Sequence, residues 1–176
     1  MIKKIVAATM GALSLWEMGS TWIEAHKLRT RKDYWRKYYT EQELERSDAL
    51  RQTHDVVSLG VTLQVDVFAQ ADPEAPALIF NHGAGGYSRL FQKLALMMYD
   101  RGYSVVLTNQ RGQGLSGGRR GDYDVAECVQ NIVDVTNWAK KRFTGKLFMA
   151  GGSLGGGLTY YAAAAGVPVD AIACLD

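Results

Sequence analysis

The chain has 176 residues and a net charge of +2, and 47% of its residues are hydrophobic while 22% are charged. That length suffices for one domain with a buried core, and the composition excludes a disordered chain. The near balance of 20 basic and 18 acidic side chains lacks the basic field that nucleic-acid binding requires. We therefore expect a globular protein with no nucleic-acid partner.

The first 40 residues leave two interpretations open. An uncharged run over 5–16 resembles part of a signal peptide, but Glu17 interrupts the apolar stretch and argues against a membrane span. Basic residues are then interleaved with tyrosine and tryptophan over 27–39. That pattern is typical of a membrane-surface segment, and equally of a solvated helix that packs its aromatic side on the domain. We expect a cytoplasmic protein or one with peripheral membrane contact through residues 1–40.

The pattern that follows predicts a helical connector and then an α/β domain. Residues 41–52 are polar with helical character, so we assign 1–52 to an N-terminal segment and 53–176 to the domain. Apolar strands and helices then alternate, with strands predicted over 56–59, 61–68, 77–80, 103–108, 147–150 and 171–175, and helices predicted after Ser88, after Asp124 and over 158–165. This alternation predicts a mainly parallel sheet with helices on both faces, opened by a hairpin at Gly60.

Local signals refine two of these helices and the two cysteines. Ser88 is the expected N-cap of its helix, and Asp124-x-x-Glu127 is a possible capping box for the next one. Cys128 falls on a predicted helix and Cys174 on a predicted strand. Neither a disulfide framework nor a metal-ligand spacing is visible, so we expect both cysteines to pack in the core and no metal to bind.

The sequence Gly-Gly-Ser-Leu-Gly over 151–155 fits G-x-S-x-G, the pattern of a nucleophile elbow. A serine on a strained strand-to-helix turn presents its hydroxyl, and Gly151 and Gly155 let the strand and helix approach each other. The N–H of Leu154 would then face a developing oxyanion. The pattern alone is common, but here an apolar strand precedes it and a helix-forming run follows it. We therefore interpret Ser153 as a nucleophile.

A second glycine-rich stretch, Asn-His-Gly-Ala-Gly-Gly over 81–86, directly follows a predicted strand. A serine hydrolase needs a second oxyanion donor from such a loop, and we expect the N–H of Ala84 to supply it. Gly83 would let the backbone approach the substrate, and His82 is expected to orient the loop rather than act as a base. The alternative is a simple glycine-rich turn.

A third stretch, 112–117, fits the dinucleotide fingerprint G-x-G-x-x-G and supports a rival function. Two features speak against that rival. The next helix is expected to start near Asp122 rather than at the third glycine, and Asp134 falls within a helix instead of at the strand end where a ribose-binding acid belongs. We therefore expect no nucleotide cofactor.

Together, the three motifs resemble those of the α/β-hydrolase superfamily, with the greatest likeness to its monoacylglycerol lipase, lysophospholipase and serine aminopeptidase branch. One departure is Asn109, where that branch usually has Asp. The resemblance implies an α/β-hydrolase fold and a serine hydrolase that cleaves lipid or small acyl esters through an acyl-enzyme. It implies Ser153 as the nucleophile, the N–H groups of Leu154 and Ala84 as the oxyanion hole, and no cofactor.

The resemblance also implies residues that this sequence does not match. In the superfamily the triad acid and histidine follow the serine, after the seventh and eighth strands. Here all three histidines (His26, His54 and His82) precede Ser153, and Asp170 and Asp176 come too early. We expect the N-terminal part of a hydrolase, truncated after about the sixth strand and inactive or nearly so by itself. The alternative is a non-catalytic, degenerate hydrolase fold that binds a ligand.

Overall fold

The computed structural model describes residues 37–121 and 123–175. The chain divides into two compact units, Met1–Tyr38 and Tyr39–Asp176, and the helices and strands that follow belong to the second. The expectations for a signal-like run and a membrane-surface segment fall on residues outside the described part or in the first unit. Helix α1, Glu41–Leu50, lies inside the second unit.

Six strands form one sheet in the order β1-β2-β4-β3-β5-β6. The strands are β1 Arg51–Ser58, β2 Val61–Phe68, β3 Ala77–Asn81, β4 Ser104–Thr108, β5 Leu147–Gly152 and β6 Ala171–Leu175. β1 and β4 both pair with β2 in antiparallel fashion, and every other pairing is parallel. Leu59 and Gly60 connect β1 to β2 with φ angles of 48° and 73°, the left-handed backbone that a tight hairpin uses. The predicted hairpin and mainly parallel sheet are confirmed.

The helices after α1 are a 3₁₀ turn, Ser88–Phe91, and then α2 Gln92–Tyr99, α3 Val125–Arg142 and α4 Leu154–Ala164. Asp124 caps α3, because its carboxylate accepts from the Glu127 N–H at 2.9 Å. The expected Ser88 N-cap is wrong: its hydroxyl donates to the buried Asp66 carboxylate, so it is not available to the helix.

The core has two parts because the sheet is covered on both faces. β4 illustrates this, since its side chains alternate between the faces. Val106 packs in the larger cluster with residues of α3 and α4, whereas Val105 and Leu107 pack in the smaller cluster with residues of α2. The prediction of helices on both faces is therefore confirmed, and the carboxyl ends of the parallel strands gather at one edge.

The two cysteines have different environments. Cys128 on α3 is buried, as predicted. The expectation that Cys174 packs in the core is wrong, because β6 is an edge strand whose five residues are all exposed.

Candidate active site

Ser153 lies between β5 and α4 in an unusual backbone conformation. Its φ of 54° and ψ of −129° fall in a region that costs a residue with a side chain about 1–3 kcal/mol. Two hydrogen bonds hold this turn: the Ser153 N–H donates to the Leu175 carbonyl at 2.7 Å, and the Ser153 carbonyl accepts from the Gly156 N–H at 2.8 Å. The side chain is exposed, so its hydroxyl is accessible.

The glycines flanking Ser153 fill positions that admit no side chain. A Cβ atom at Gly151 would lie 2.1 Å from the Gly155 carbonyl oxygen, and one at Gly155 would lie 2.2 Å from the Asn81 carbonyl oxygen. Both distances are far inside van der Waals contact. The close packing of β5, α4 and the end of β3 therefore requires glycine at both positions. This explains why the motif has glycine two residues before and two residues after the serine.

The loop over 82–86 lies directly against Ser153. A Cβ atom at Gly83 would come within 3.0 Å of Ser153 Cβ and 3.5 Å of its Oγ. The loop is closed by a hydrogen bond from the Gly86 N–H to the Gly83 carbonyl, at 3.1 Å. Fold and sequence thus bring together the serine and the backbone that carries Ala84. The oxyanion-hole roles of Ala84 and Leu154 stay predictions.

His82 orients this loop through both of its ring nitrogens. Nε2 accepts from the Gln110 N–H at 3.1 Å, so the proton is on Nδ1, which donates to the Gly83 carbonyl at 2.8 Å. The ring is buried, and burial lowers the pKa of His82, which keeps it neutral. Because both nitrogens are bound to backbone groups, His82 is not placed to take a proton from Ser153.

Tyr123 is a residue at this site that the sequence analysis missed. Its hydroxyl accepts a hydrogen bond from the Gly85 N–H at 2.7 Å. The two residues are separated by 38 positions, and no local motif links them. Tyr123 therefore restrains the outer side of the 82–86 loop, and only the tertiary fold reveals it.

The loop over 109–118 contacts β2 and the 3₁₀ turn before α2 through Asn109. The Asn109 side chain accepts from the Ser88 N–H at 2.8 Å and donates to the Gln64 carbonyl at 3.0 Å. A Cβ atom at Gly112 would lie 2.1 Å from the Arg119 carbonyl, and one at Gly114 would lie 2.4 Å from Asn109 Oδ1. Protein atoms thus fill the space beside these glycines, and α3 starts only at Val125. Both observations disfavour dinucleotide binding in this loop.

An open cavity of about 410 Å³ adjoins Ser153. Its lining consists of small and apolar residues: 83–86, Leu90, Phe91, Gly152, Ser153 and Leu175. Phe91 is fixed by its ring contact with Phe80, at 4.7 Å between centroids. In the described part of the chain, no charged side chain lines this cavity. Its volume is within the range of small-molecule binding sites.

The other described acid and base candidates lie away from Ser153. His54 is on β1, four strand positions from β5, or roughly 19 Å at ordinary strand spacing. Its ring packs on Trp138 with centroids 5.4 Å apart. Asp170 accepts from the Leu147 N–H at 2.8 Å, at the opposite end of β5 from Ser153. Neither residue can form a triad with Ser153.

Comparison with known proteins decides the family. A family model described as serine aminopeptidase, S33, matches residues 72–175. The chain belongs to this family. As a member of the serine aminopeptidase family it has the α/β-hydrolase fold, as the three motifs implied.

Individual relatives agree with this assignment. The chain is 33% identical over 108 residues to a probable aminopeptidase, YbaC, of Bacillus subtilis (strain 168), a match that covers 56% of this chain and 33% of that protein. The crystal structure of the α/β hydrolase GrgF from Penicillium sp. sh18 matches with a TM-score of 0.62 and 28% identity, over 70% of this chain and 45% of that one. Est1E from Butyrivibrio proteoclasticus matches with a TM-score of 0.62 and 25% identity, over 68% and 50%. The chain thus spans between a third and a half of these relatives.

Proposed function

We propose that this chain carries the nucleophile and oxyanion hole of a serine hydrolase that cleaves carboxylic esters through an acyl-enzyme. The observation that carries the proposal is the conformation of Ser153, a residue with positive φ at the start of α4 whose exposed side chain lines a glycine-walled cavity. A strained backbone at a cavity is a feature of functional sites. Membership in a hydrolase family supports the same chemistry.

The reaction would proceed in two steps. Ser153 Oγ bonds to the ester carbonyl carbon, the bond to the alkoxy oxygen breaks, and the serine proton reaches the leaving alcohol through a base. Water then attacks the acyl carbon and releases the acid and the free serine. The N–H groups of Leu154 and Ala84 would stabilise the oxyanion, and each such donor contributes a factor of about 10²–10³ in rate. The base would come from outside the described residues, so we expect slow turnover by the chain alone.

The cavity suits the acyl part of an ester, because Leu90, Phe91 and Leu175 give it apolar walls. The Est1E structure holds ferulic acid, an aromatic carboxylic acid. A lipid or small acyl ester is therefore the proposed substrate.

Acylation of Ser153 tests the proposal directly. The purified chain is incubated with p-nitrophenyl butyrate, with and without added imidazole as an external base, and the intact mass is measured over time. We expect a butyryl adduct on Ser153 that forms faster with imidazole and is absent from Ser153→Ala. That variant also corrects for hydrolysis by imidazole itself. No adduct on Ser153 under either condition would contradict the proposal.

One observation favours a second candidate, a non-catalytic protein that binds an acyl ligand. His82 donates to the Gly83 carbonyl and accepts from the Gln110 N–H, and His54 lies on the edge strand β1, so neither described histidine activates Ser153. This candidate predicts that butanoate or a longer fatty acid binds the cavity while Ser153 stays unmodified. The acylation experiment and a fatty-acid titration therefore separate the two functions.

A further inference from the structure

The segment from Tyr39 through helix α1 lies outside the region matched by the family model, which begins at residue 72, yet it contacts residues 89–92, two of which line the cavity. The Tyr39 hydroxyl, just before the helix, donates to the Leu90 carbonyl at 2.8 Å and to the Arg89 carbonyl at 3.1 Å. Tyr39 is buried, and burial raises the pKa of its phenol, so the hydroxyl remains a donor at neutral pH. Leu90 and its neighbour Phe91 line the cavity.

Further contacts join α1 to the same wall segment. The Ser47 hydroxyl is hydrogen-bonded to the Gln92 side chain, and both residues are fully buried. The Gln92 amide donates in turn to the Arg89 carbonyl at 3.0 Å. Asp48 accepts from the Arg89 guanidinium at 2.8 Å. The backbone on either side of Leu90 is therefore held from α1 and not from the sheet alone.

The two apolar wall residues differ in what fixes them. Phe91 packs on Phe80 of β3, so the sheet holds it in place. Leu90 is partly exposed, and its backbone carbonyl is bound by Tyr39. The position of Leu90 thus depends on Tyr39 more than that of Phe91 does. Because Leu90 lines the cavity, a shift of Leu90 would change the wall.

We propose that Tyr39 is a positioning residue that sets the acyl-chain preference of the cavity by fixing Leu90. This inference rests on the proposed function in one respect, that the cavity holds the acyl part of a substrate. It adds a specificity element that the matched hydrolase region does not contain. A residue that only stabilised the fold would change overall stability and leave the preference among acyl chains unaltered.

The test measures the dissociation constants of butanoate and decanoate, the acids that ester cleavage would release, by calorimetric titration. The variants are Tyr39→Phe, which removes only the hydroxyl, and the matched control Tyr160→Phe on the exposed side of α4. We expect the ratio of the two constants to change by about three- to tenfold in Tyr39→Phe, the range that one buried hydrogen bond supplies. The ratio should be unchanged in the control.

An unchanged ratio in Tyr39→Phe would overturn the inference. Failure of the wild-type chain to bind either acid would also overturn it, while acylation of Ser153, measured separately, would still judge the proposed function. If Tyr39→Phe does not fold, Ser47→Ala takes its place, because it loosens the same wall through Gln92. The same criterion then applies to the ratio measured with that variant.

Discussion

Two glycine-rich loops follow neighbouring parallel strands, and the surroundings of one glycine in each, Gly85 and Gly112, differ sharply. The loop over 82–86, after β3, borders the cavity, and a Cβ atom at Gly85 would meet nothing within 4 Å. The loop over 109–118, after β4, is packed on itself, and a Cβ atom at Gly112 would lie 2.1 Å from a carbonyl oxygen. The space beside Gly85 is open, whereas the space beside Gly112 is filled by protein atoms. A sequence pattern alone does not distinguish the two surroundings.

The largest expected effect comes from placing alanine in each loop. Gly112 and Gly85 share a φ of +69°, so both alanine variants carry the same left-handed penalty of about 1–2 kcal/mol. Gly112→Ala adds a clash with the Arg119 carbonyl, and we expect a total loss of roughly 3–5 kcal/mol. Gly85→Ala should lose only the shared penalty. Urea unfolding of both variants gives the difference.

Equal losses for the two variants would contradict the comparison, because they would mean that the 109–118 loop yields to a side chain as easily as the cavity loop does. A control is available in α4, where a Cβ atom at Gly157 meets nothing within 4 Å and φ is not positive. Gly157→Ala should stabilise the chain by about 0.5–1 kcal/mol, the usual gain in a helix. A gain of this size in Gly157→Ala would show that the urea assay separates the effect of a steric clash from the effect of backbone preference.

Features set by local sequence were predicted well, and features set by distant contacts were not. The strand over 171–175 and the helix after Asp124 follow from hydrophobic period and capping, which are local. The contacts of Tyr123 with Gly85 and of Tyr39 with Leu90 join residues 38 and 51 positions apart. No pattern within a short window encodes such pairs, because they arise from how the sheet and helices pack.

The errors have the same origin. The Ser88 cap was a sound local expectation, but the hydroxyl found a stronger acceptor in the buried Asp66 of β2. Cys174 has the apolar neighbours of a core strand, yet β6 is at the sheet edge. The positive φ of Ser153 is the geometry that the G-x-S-x-G spacing requires, whereas its catalytic role stays a prediction for the acylation experiment to decide.

An intermediate effect is expected from Tyr123, which restrains the cavity loop from outside. Tyr123→Phe removes the acceptor of the Gly85 N–H and leaves the ring in place. If the loop carries an oxyanion donor at Ala84, its added freedom should slow acylation of Ser153 by about three- to tenfold. The unfolding free energy should change by less than about 1.5 kcal/mol. Intact-mass kinetics with p-nitrophenyl butyrate measure the first quantity and urea unfolding the second.

Tyr160→Phe is the matched control for that experiment, because Tyr160 is exposed on α4. In this variant Ser153 should be acylated at the wild-type rate. An acylation rate for Tyr123→Phe equal to that of the control would show that the loop needs no restraint at Gly85. Loss of rate and stability together would instead indicate a purely structural role. The 82–86 loop would then resemble the 109–118 loop, in which the contacts serve the fold.

The smallest effect concerns His82, the one described side chain whose ring bonds to both loops, through the Gly83 carbonyl and the Gln110 N–H. Burial lowers the pKa of His82 below its unfolded value of about 6.5, so protons bind preferentially to the unfolded chain. The contribution of His82 to stability is therefore complete above about pH 6.5 and is lost as the pH falls below it. Protonation would also place an Nε2 proton against the Gln110 N–H and separate the loops.

Urea midpoints between about pH 7.5 and about pH 5.5 measure this dependence, in a range where most carboxylates stay ionised. We expect the wild-type midpoint to fall towards the acidic end, and His82→Gln to be less stable throughout but with a flatter dependence. His54 is the control, because burial lowers its pKa too although its ring lies on β1, away from both loops. If His54→Gln flattens the pH dependence of the urea midpoint and His82→Gln does not, His82 is not the group whose protonation destabilises the chain.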